Sequence, residues 1–158
     1  EEGKILLPQL MRSAEAAKAA CDVVRAAIPP SESGSEDAVV LATVHGDIHD
    51  IGKNIVRSVL ENYGFRIIDL GRDVPEQTVV DAVLKSGAKL CGLSALMTTT
   101  VPAMENTIRL LKEQAPFCRT VVGGAVLTAD YAARIGADYY SKDAAATVRA
   151  AKEVYGRN

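Results

Sequence analysis

The stretch Ala38-Val39-Val40-Leu41-Ala42-Thr43-Val44, followed by His45-Gly46-Asp47-Ile48-His49-Asp50-Ile51-Gly52-Lys53-Asn54, decides the fold. The first part is an uncharged apolar and β-branched run, bounded by turn residues, which reads as a strand covered on both faces. A polar, glycine-punctuated turn follows, and behind it an amphipathic helical pattern begins near Lys53. The same grammar recurs downstream. Strands are predicted over 38–44, 65–70, 89–94, 119–122 and 138–140, and helices over about 53–63, 76–86, 101–114, 129–135 and 144–155. Gly64, Gly87 and Gly136 stand at or just past helix ends, where a left-handed backbone is usual. Strict strand–helix alternation predicts an α/β fold with a doubly wound, five-stranded parallel sheet. Ligands in such sheets bind beyond the carboxyl ends of the strands, where strand order reverses, so the chemistry is expected in the loops after strands one, three and four.

Upstream of this pattern, small or apolar residues recur at Leu10, Ala14, Ala17, Cys21, Val24 and Ile28, in steps of three and four that trace one helical stripe. Pro29-Pro30-Ser31-Glu32-Ser33-Gly34-Ser35-Glu36-Asp37 then reads as a linker. A lone amphipathic helix needs a partner for its stripe. That partner is either the following domain or a helical unit begun before Glu1, and the start at Glu1 instead of Met favours the second, so 1–28 are expected to be the last helix of such a unit, 29–37 a linker and 38–158 the main domain. The exposed face of that helix also offers a homodimer contact.

Composition narrows the classes. With 158 residues, 48% of them apolar and 24% charged, the chain is of ordinary globular make-up and can bury a full core. Aromatics are only 4% with no Trp, so that core is aliphatic. Eighteen Lys and Arg against twenty Asp and Glu, with no basic run among aromatics, exclude a nucleic-acid surface. Cys21, Cys91 and Cys118 show no ligand spacing and read as reduced thiols. No apolar run approaches the roughly 18 residues of a membrane span and no signal sequence opens the chain. A cytoplasmic protein is expected.

The turn after the first strand, about nine residues long where two to six are usual, holds both histidines of the chain. Asp47 stands two residues before His49, a spacing that lets a carboxylate bond one ring nitrogen while the other faces outward. Three readings compete for it: a polar helix-capping loop, a metal site built by the protein alone, and an axial ligand to a metal already held by a large organic cofactor. The second fails for want of ligands, since the chain has two histidines and no acidic cluster follows strands three or four. The third has support elsewhere. Ser94-Ala95-Leu96-Met97-Thr98-Thr99-Thr100 makes a hydroxyl-rich turn with an apolar insert, and Gly123-Gly124-Ala125 lets a flat group lie against bare backbone.

Taken together these residues resemble the corrinoid-binding proteins and domains of cobamide-dependent methyltransferase systems, including the cobalamin domain of methionine synthase. The shared fingerprint is Asp-x-His-x-x-Gly, then Ser-x-Leu, then Gly-Gly at set intervals. Here Asp47-Ile48-His49-Asp50-Ile51-Gly52 is followed, with 41 residues between, by Ser94-Ala95-Leu96, and then, with 26 between, by Gly123-Gly124. The continuation Gly52-Lys53-Asn54-Ile55-Val56 and the later Asp69-Leu70-Gly71 are similar to the methyltransferase branch more than to the adenosylcobamide mutases. Glu2-Gly3-Lys4 with Leu7-Pro8-Gln9-Leu10 looks like the start of the last helix in that branch's helical cap.

The resemblance implies a Rossmann-like cobalamin-binding fold and a cobamide cofactor. It implies that His49 coordinates cobalt from the lower face, displacing the cofactor's own base, that Asp47 bonds His49 and that the Thr100 hydroxyl completes a relay. Protonating that pair should weaken the cobalt bond, because a ligating imidazole must offer a lone pair. Gly46, Ile48, Asp50, Ile51, Gly52, Ser94, Leu96, Thr98, Gly123 and Gly124 would line the macrocycle edge and nucleotide tunnel, and the segment holding Tyr140, Asp143 and Ala144 would close around the tail. The implied role is a methyl carrier, cycling between Co(I) and methyl-Co(III), that is not catalytic alone. Its partners would be a substrate-specific methyltransferase and a second one with a folate or thiol acceptor. A corrinoid-dependent sensor module shares Asp-x-His-x-x-Gly and is the alternative. A flavodoxin-like electron carrier would want aromatics in these loops, and they have none.

Overall fold

The computed structural model describes residues 37–157; the chain divides into two units, 1–34 and 35–158. The helix expected over 5–28, most of the linker, and Cys21 lie outside the described residues. Five strands and five helices alternate: β1 Ala38–Thr43, α1 Ile51–Asn62, β2 Arg66–Asp69, α2 Glu76–Ser86, β3 Leu90–Ser94, α3 Val101–Gln114, β4 Arg119–Gly123, α4 Ala129–Arg134, β5 Tyr139–Tyr140 and α5 Ala144–Tyr155. A 3₁₀ turn, Thr98–Thr100, leads into α3. The sheet is wholly parallel in the order β2-β1-β3-β4-β5, as the alternation predicts. Strand order therefore reverses between β1 and β3, which opens a crevice beyond their carboxyl ends.

Side chains alternate across the sheet, so β1 feeds two cores at once. Val40 and Ala42, with Cys91, Leu93 and Val122, meet Val79, Val80 and Val83 of α2 and Met104, Ile108 and Leu111 of α3. On the other face Val39, Leu41, Leu90 and Val121 meet Leu60 of α1 and Val148, Ala150 and Ala151 of α5. Each large aliphatic side chain so buried contributes about 1.5–3 kcal/mol, which explains how a chain without Trp holds together. Burial lifts the thiols of Cys91 well above, and Cys118 up to about 12 from, their ordinary range, so both stay protonated.

Helix ends follow the local sequence. Asp143 accepts the Ala146 N–H at 2.8 Å to start α5, and Thr128 accepts that of Tyr131 at 3.2 Å to start α4. Gly87, at φ 67°, ends α2. Most strand and helix ends differ from expectation by a residue or two, and two of these shifts have a clear consequence or cause. The first helix begins at Ile51, which shortens the turn before it, and β5 spans only two residues because Asp138 spends its carboxylate on Thr120 and Arg119.

The first turns of α1 are fastened to the sheet by charge. Lys53 is buried, and its ammonium reaches both oxygens of Asp69, at the end of β2, at 2.6 and 2.7 Å, and Asn54 Oδ1 at 3.0 Å. Burial alone would raise the Asp69 carboxyl, but the Lys53 ammonium, the Gly71 N–H and Arg57 outweigh it and hold the group below its usual range. A depressed carboxyl contributes stability above its unfolded pKa of about 3.9 and loses it as pH falls through the folded value. Asp69→Ala, which strands the Lys53 charge, should cost about 3–5 kcal/mol at pH 7. In urea titrations the gap between the variant and the parent chain should narrow as pH falls below about 4; a gap independent of pH would contradict this account.

Candidate functional site

Beyond the carboxyl ends of β1 and β3 the chain turns on one side chain. The Asp47 carboxylate is inaccessible to solvent and fully occupied. Oδ1 accepts the backbone N–H of His49 at 3.0 Å and lies 2.7 Å from its Nδ1, while Oδ2 accepts the Leu96 N–H at 2.7 Å and lies 3.0 Å from Thr100 Oγ1. Thr100 Oγ1 also lies 2.9 Å from the Met97 carbonyl. Burial would push Asp47 upward; the hydrogen bonds from His49, Leu96 and Thr100 overcome that and bring its pKa down to about 2. An ionised partner makes Nδ1 the protonated nitrogen of neutral His49. Nε2, with no protein partner among the described residues, is left with a free lone pair on a half-exposed ring.

His49 stands on the wall of a cavity of about 740 Å³ that runs over the β1, β3 and β4 face between α1 and α5. That volume suits a cofactor-sized molecule. The loop after β1 supplies Ile48, His49 and Asp50, and α1 begins on the same wall with Ile51 and Gly52. Ser94 and Leu96 come from the end of β3 and its loop, Gly123 and Gly124 from β4, and Tyr140, Asp143 and Ala144 from the segment after β5. The Tyr140 hydroxyl donates to the Leu127 carbonyl at 3.1 Å. The mouth is apolar: Ile48, Ile51 and Leu96 are exposed large hydrophobic side chains.

Four of the residues singled out from the sequence are not on the wall. Asp47 and Thr100 are buried behind His49, where they hold it. Gly46 forms the turn at φ 81°, and Thr98 is exposed in the 3₁₀ turn. Among the described residues no group of three or more His, Cys, Asp and Glu comes together to hold a metal ion.

Other wall residues escaped sequence reading. Gly92 in β3 also lines the cavity, and a Cβ there would stand 2.6 Å from Leu41 Cδ2, so the Leu41 side chain takes the space a side chain at 92 would need. A glycine inside a strand pattern was the available signal. Lys53, Val56 and Thr147 also line the cavity, and only folding brings them together.

Gly124 shows how tightly the wall is built. Its φ of 140° is a region almost reserved for glycine, and a Cβ would stand 1.8 Å from the Ala95 carbonyl oxygen. Gly123 is less confined, with the Ser141 carbonyl oxygen 3.1 Å from where a Cβ would stand.

Comparison with known proteins agrees with the geometry. The family described as "B12 binding domain" matches residues 38–151. Dimethylamine corrinoid protein 1 of Methanosarcina acetivorans is 41% identical over 98% of this chain and 74% of its own length. Among solved structures, a cobalamin-binding protein from Desulfitobacterium hafniense superposes with a TM-score of 0.78 at 34% identity, covering 96% of this chain and 72% of the other. The methanol:cobalamin methyltransferase complex of Methanosarcina barkeri gives 0.78 at 33% identity, covering 99% and 61%.

Gly124→Ala should cost about 2–5 kcal/mol, from backbone strain and overlap together. Gly52→Ala, in helical conformation with nothing near the added methyl, should stay within about 1 kcal/mol of the parent. Chemical denaturation of the two variants checks the contrast, and equal losses would refute it.

Proposed function

We propose that this chain, which belongs to the B12-binding domain family, is a corrinoid-binding methyl carrier of a methyltransferase system. The observation that carries this is His49, tied through Nδ1 to a buried, ionised Asp47 and presenting a free Nε2 at the mouth of the cavity. The residues fit a cobamide. An imidazole with one nitrogen fixed by a carboxylate is a good axial ligand, the apolar mouth suits a macrocycle, and the cavity of about 740 Å³ over the sheet has room for a long tail.

His49 would hold the cobalt from below, with the cofactor's own base displaced into the cavity. Asp47 fixes the ring's tautomer and orientation, and Thr100 and the Leu96 N–H hold Asp47. When bound, the cobalt supplies the chemistry, accepting a methyl group as Co(I) and releasing it from Co(III). The polypeptide binds, orients and presents. Partners would be a methyltransferase that loads the methyl group, as in the complex noted above, and a second that passes it to a folate or thiol. Choice of donor belongs to the partner. Residues 1–28 would be the last helix of a cap, 29–37 its linker and 38–158 the carrier domain, with a homodimer as a further assembly.

Reconstitution with methylcobalamin, read by visible spectroscopy, tests the proposal. The parent chain should take up the cofactor with a histidine-ligated spectrum, and His49→Ala should convert it to the spectrum without a lower ligand. Asp47→Asn should weaken ligation about 10–100-fold. If neither the parent nor His49→Ala retains corrinoid, the proposal is wrong.

A further inference from the structure

The loop that carries Asp47 and His49 is held from a second side, by a segment that touches no part of the cavity. After β2 the chain runs on beside β1: Thr43 donates to the Gly71 carbonyl, Val74 donates to that of Thr43, and Val44 pairs with Val74. Within this segment Asp73 is the one residue other than glycine at positive φ among the described residues, at 53°. Asp tolerates that conformation when its side chain finds a bond nearby. Here the carboxylate spends itself across the chain: Oδ1 accepts the Gly46 N–H at 2.7 Å and lies 2.9 Å from His45 Nδ1. Its backbone N–H donates to the Asp47 carbonyl at 2.9 Å.

One residue thus grips both ends of the peptide pair Gly46-Asp47, one residue short of His49. Gly46, itself left-handed at φ 81°, cannot set its own direction by steric preference, because glycine takes many backbone conformations with little cost. The turn is therefore aimed by its own closing bond, from the Asp47 N–H to the Val44 carbonyl at 3.1 Å, and by what binds the Gly46 N–H and the Asp47 carbonyl. Asp73 supplies the last two. The Asp47 carboxylate is aimed in turn, and with it the His49 ring.

We propose that Asp73 is a positioning residue for the His49 ligand: by fixing the Gly46 and Asp47 backbone it sets the reach of Asp47 to His49, although it touches neither cavity nor cofactor. This rests on the corrinoid reading, since it concerns how firmly His49 is presented to cobalt.

The full chain carrying Asp73→Gly, Asp73→Ala or Asp73→Asn would be reconstituted with methylcobalamin at neutral pH. The ratio of bound cofactor lacking the histidine ligand to that having it is then read from the visible spectrum. Glycine accepts the backbone at 73 without strain, so Asp73→Gly removes the carboxylate that meets the Gly46 N–H and His45 and leaves the backbone conformation available, which guards against an unfolded alanine variant. Asp73→Gly should still take up cofactor, with the unligated ratio raised about fivefold, the effect of one lost hydrogen bond. Asp73→Asn, which keeps the acceptor and tolerates positive φ, should return close to the parent ratio. A parent-like ratio in Asp73→Gly would overturn the proposal, as would an asparagine variant as impaired as the glycine one, which would assign the effect to charge. A parent chain with no histidine-ligated spectrum would overturn this inference together with the function it rests on.

Discussion

A carboxylate sealed from water is stable only if every lone pair it offers is met, and the site of this protein is organised around meeting those of Asp47. Its acceptors draw in the loop after β1 through His49 and the loop after β3 through Leu96 and Thr100. Two loops 49 and more residues apart in sequence are thereby locked at the point where strand order reverses. The satisfied charge also leaves one nitrogen of His49 free, so a structural necessity and a chemical one have a single solution.

The surrounding framework keeps that solution in place. Lys53 and Asp69 pin the start of α1, just past His49, to the end of β2, and the segment after β2 reaches back to the turn before it. Charged groups buried this way add less to net stability than an apolar core of equal size, yet breaking one pair leaves a stranded charge. They act here as fixings of a loop that the aliphatic core cannot grip, because the loop lies beyond the strand ends. Below it the cavity wall includes Gly92, Gly123 and Gly124, where atoms of Leu41, Ser141 and Ala95 lie so close that a side chain would collide with them.

Much of the fold was legible along the chain. The uncharged run from Ala38 to Val44, the later valine-rich strands, and helix-ending glycines such as Gly87 are local signals, and the parallel five-stranded sheet followed from their alternation. Boundaries moved where a tertiary contact outbid the local preference, as when Asp138 gave its carboxylate to Thr120 and shortened β5. In the site, the pairing of Asp47 with His49 and the glycine pair were readable from fixed spacings, and Thr100 behind them only through the family resemblance. Thr98 and Gly46 had the right neighbourhood in sequence but do not face the cavity.

By itself the sequence determined the α/β class, the strand–helix order, and the Asp-x-His, Ser-x-Leu and Gly-Gly elements that mark the family, because each of these is written in a short run or a fixed interval. Only the tertiary structure decided that Asp47 is buried, that Gly92 and Thr147 share one cavity, and that Asp73 grips the turn before His49. These depend on the strand order β2-β1-β3, which brings distant loops together, and on hydrogen bonds whose partners lie 27 or more residues away, beyond the reach of any local pattern.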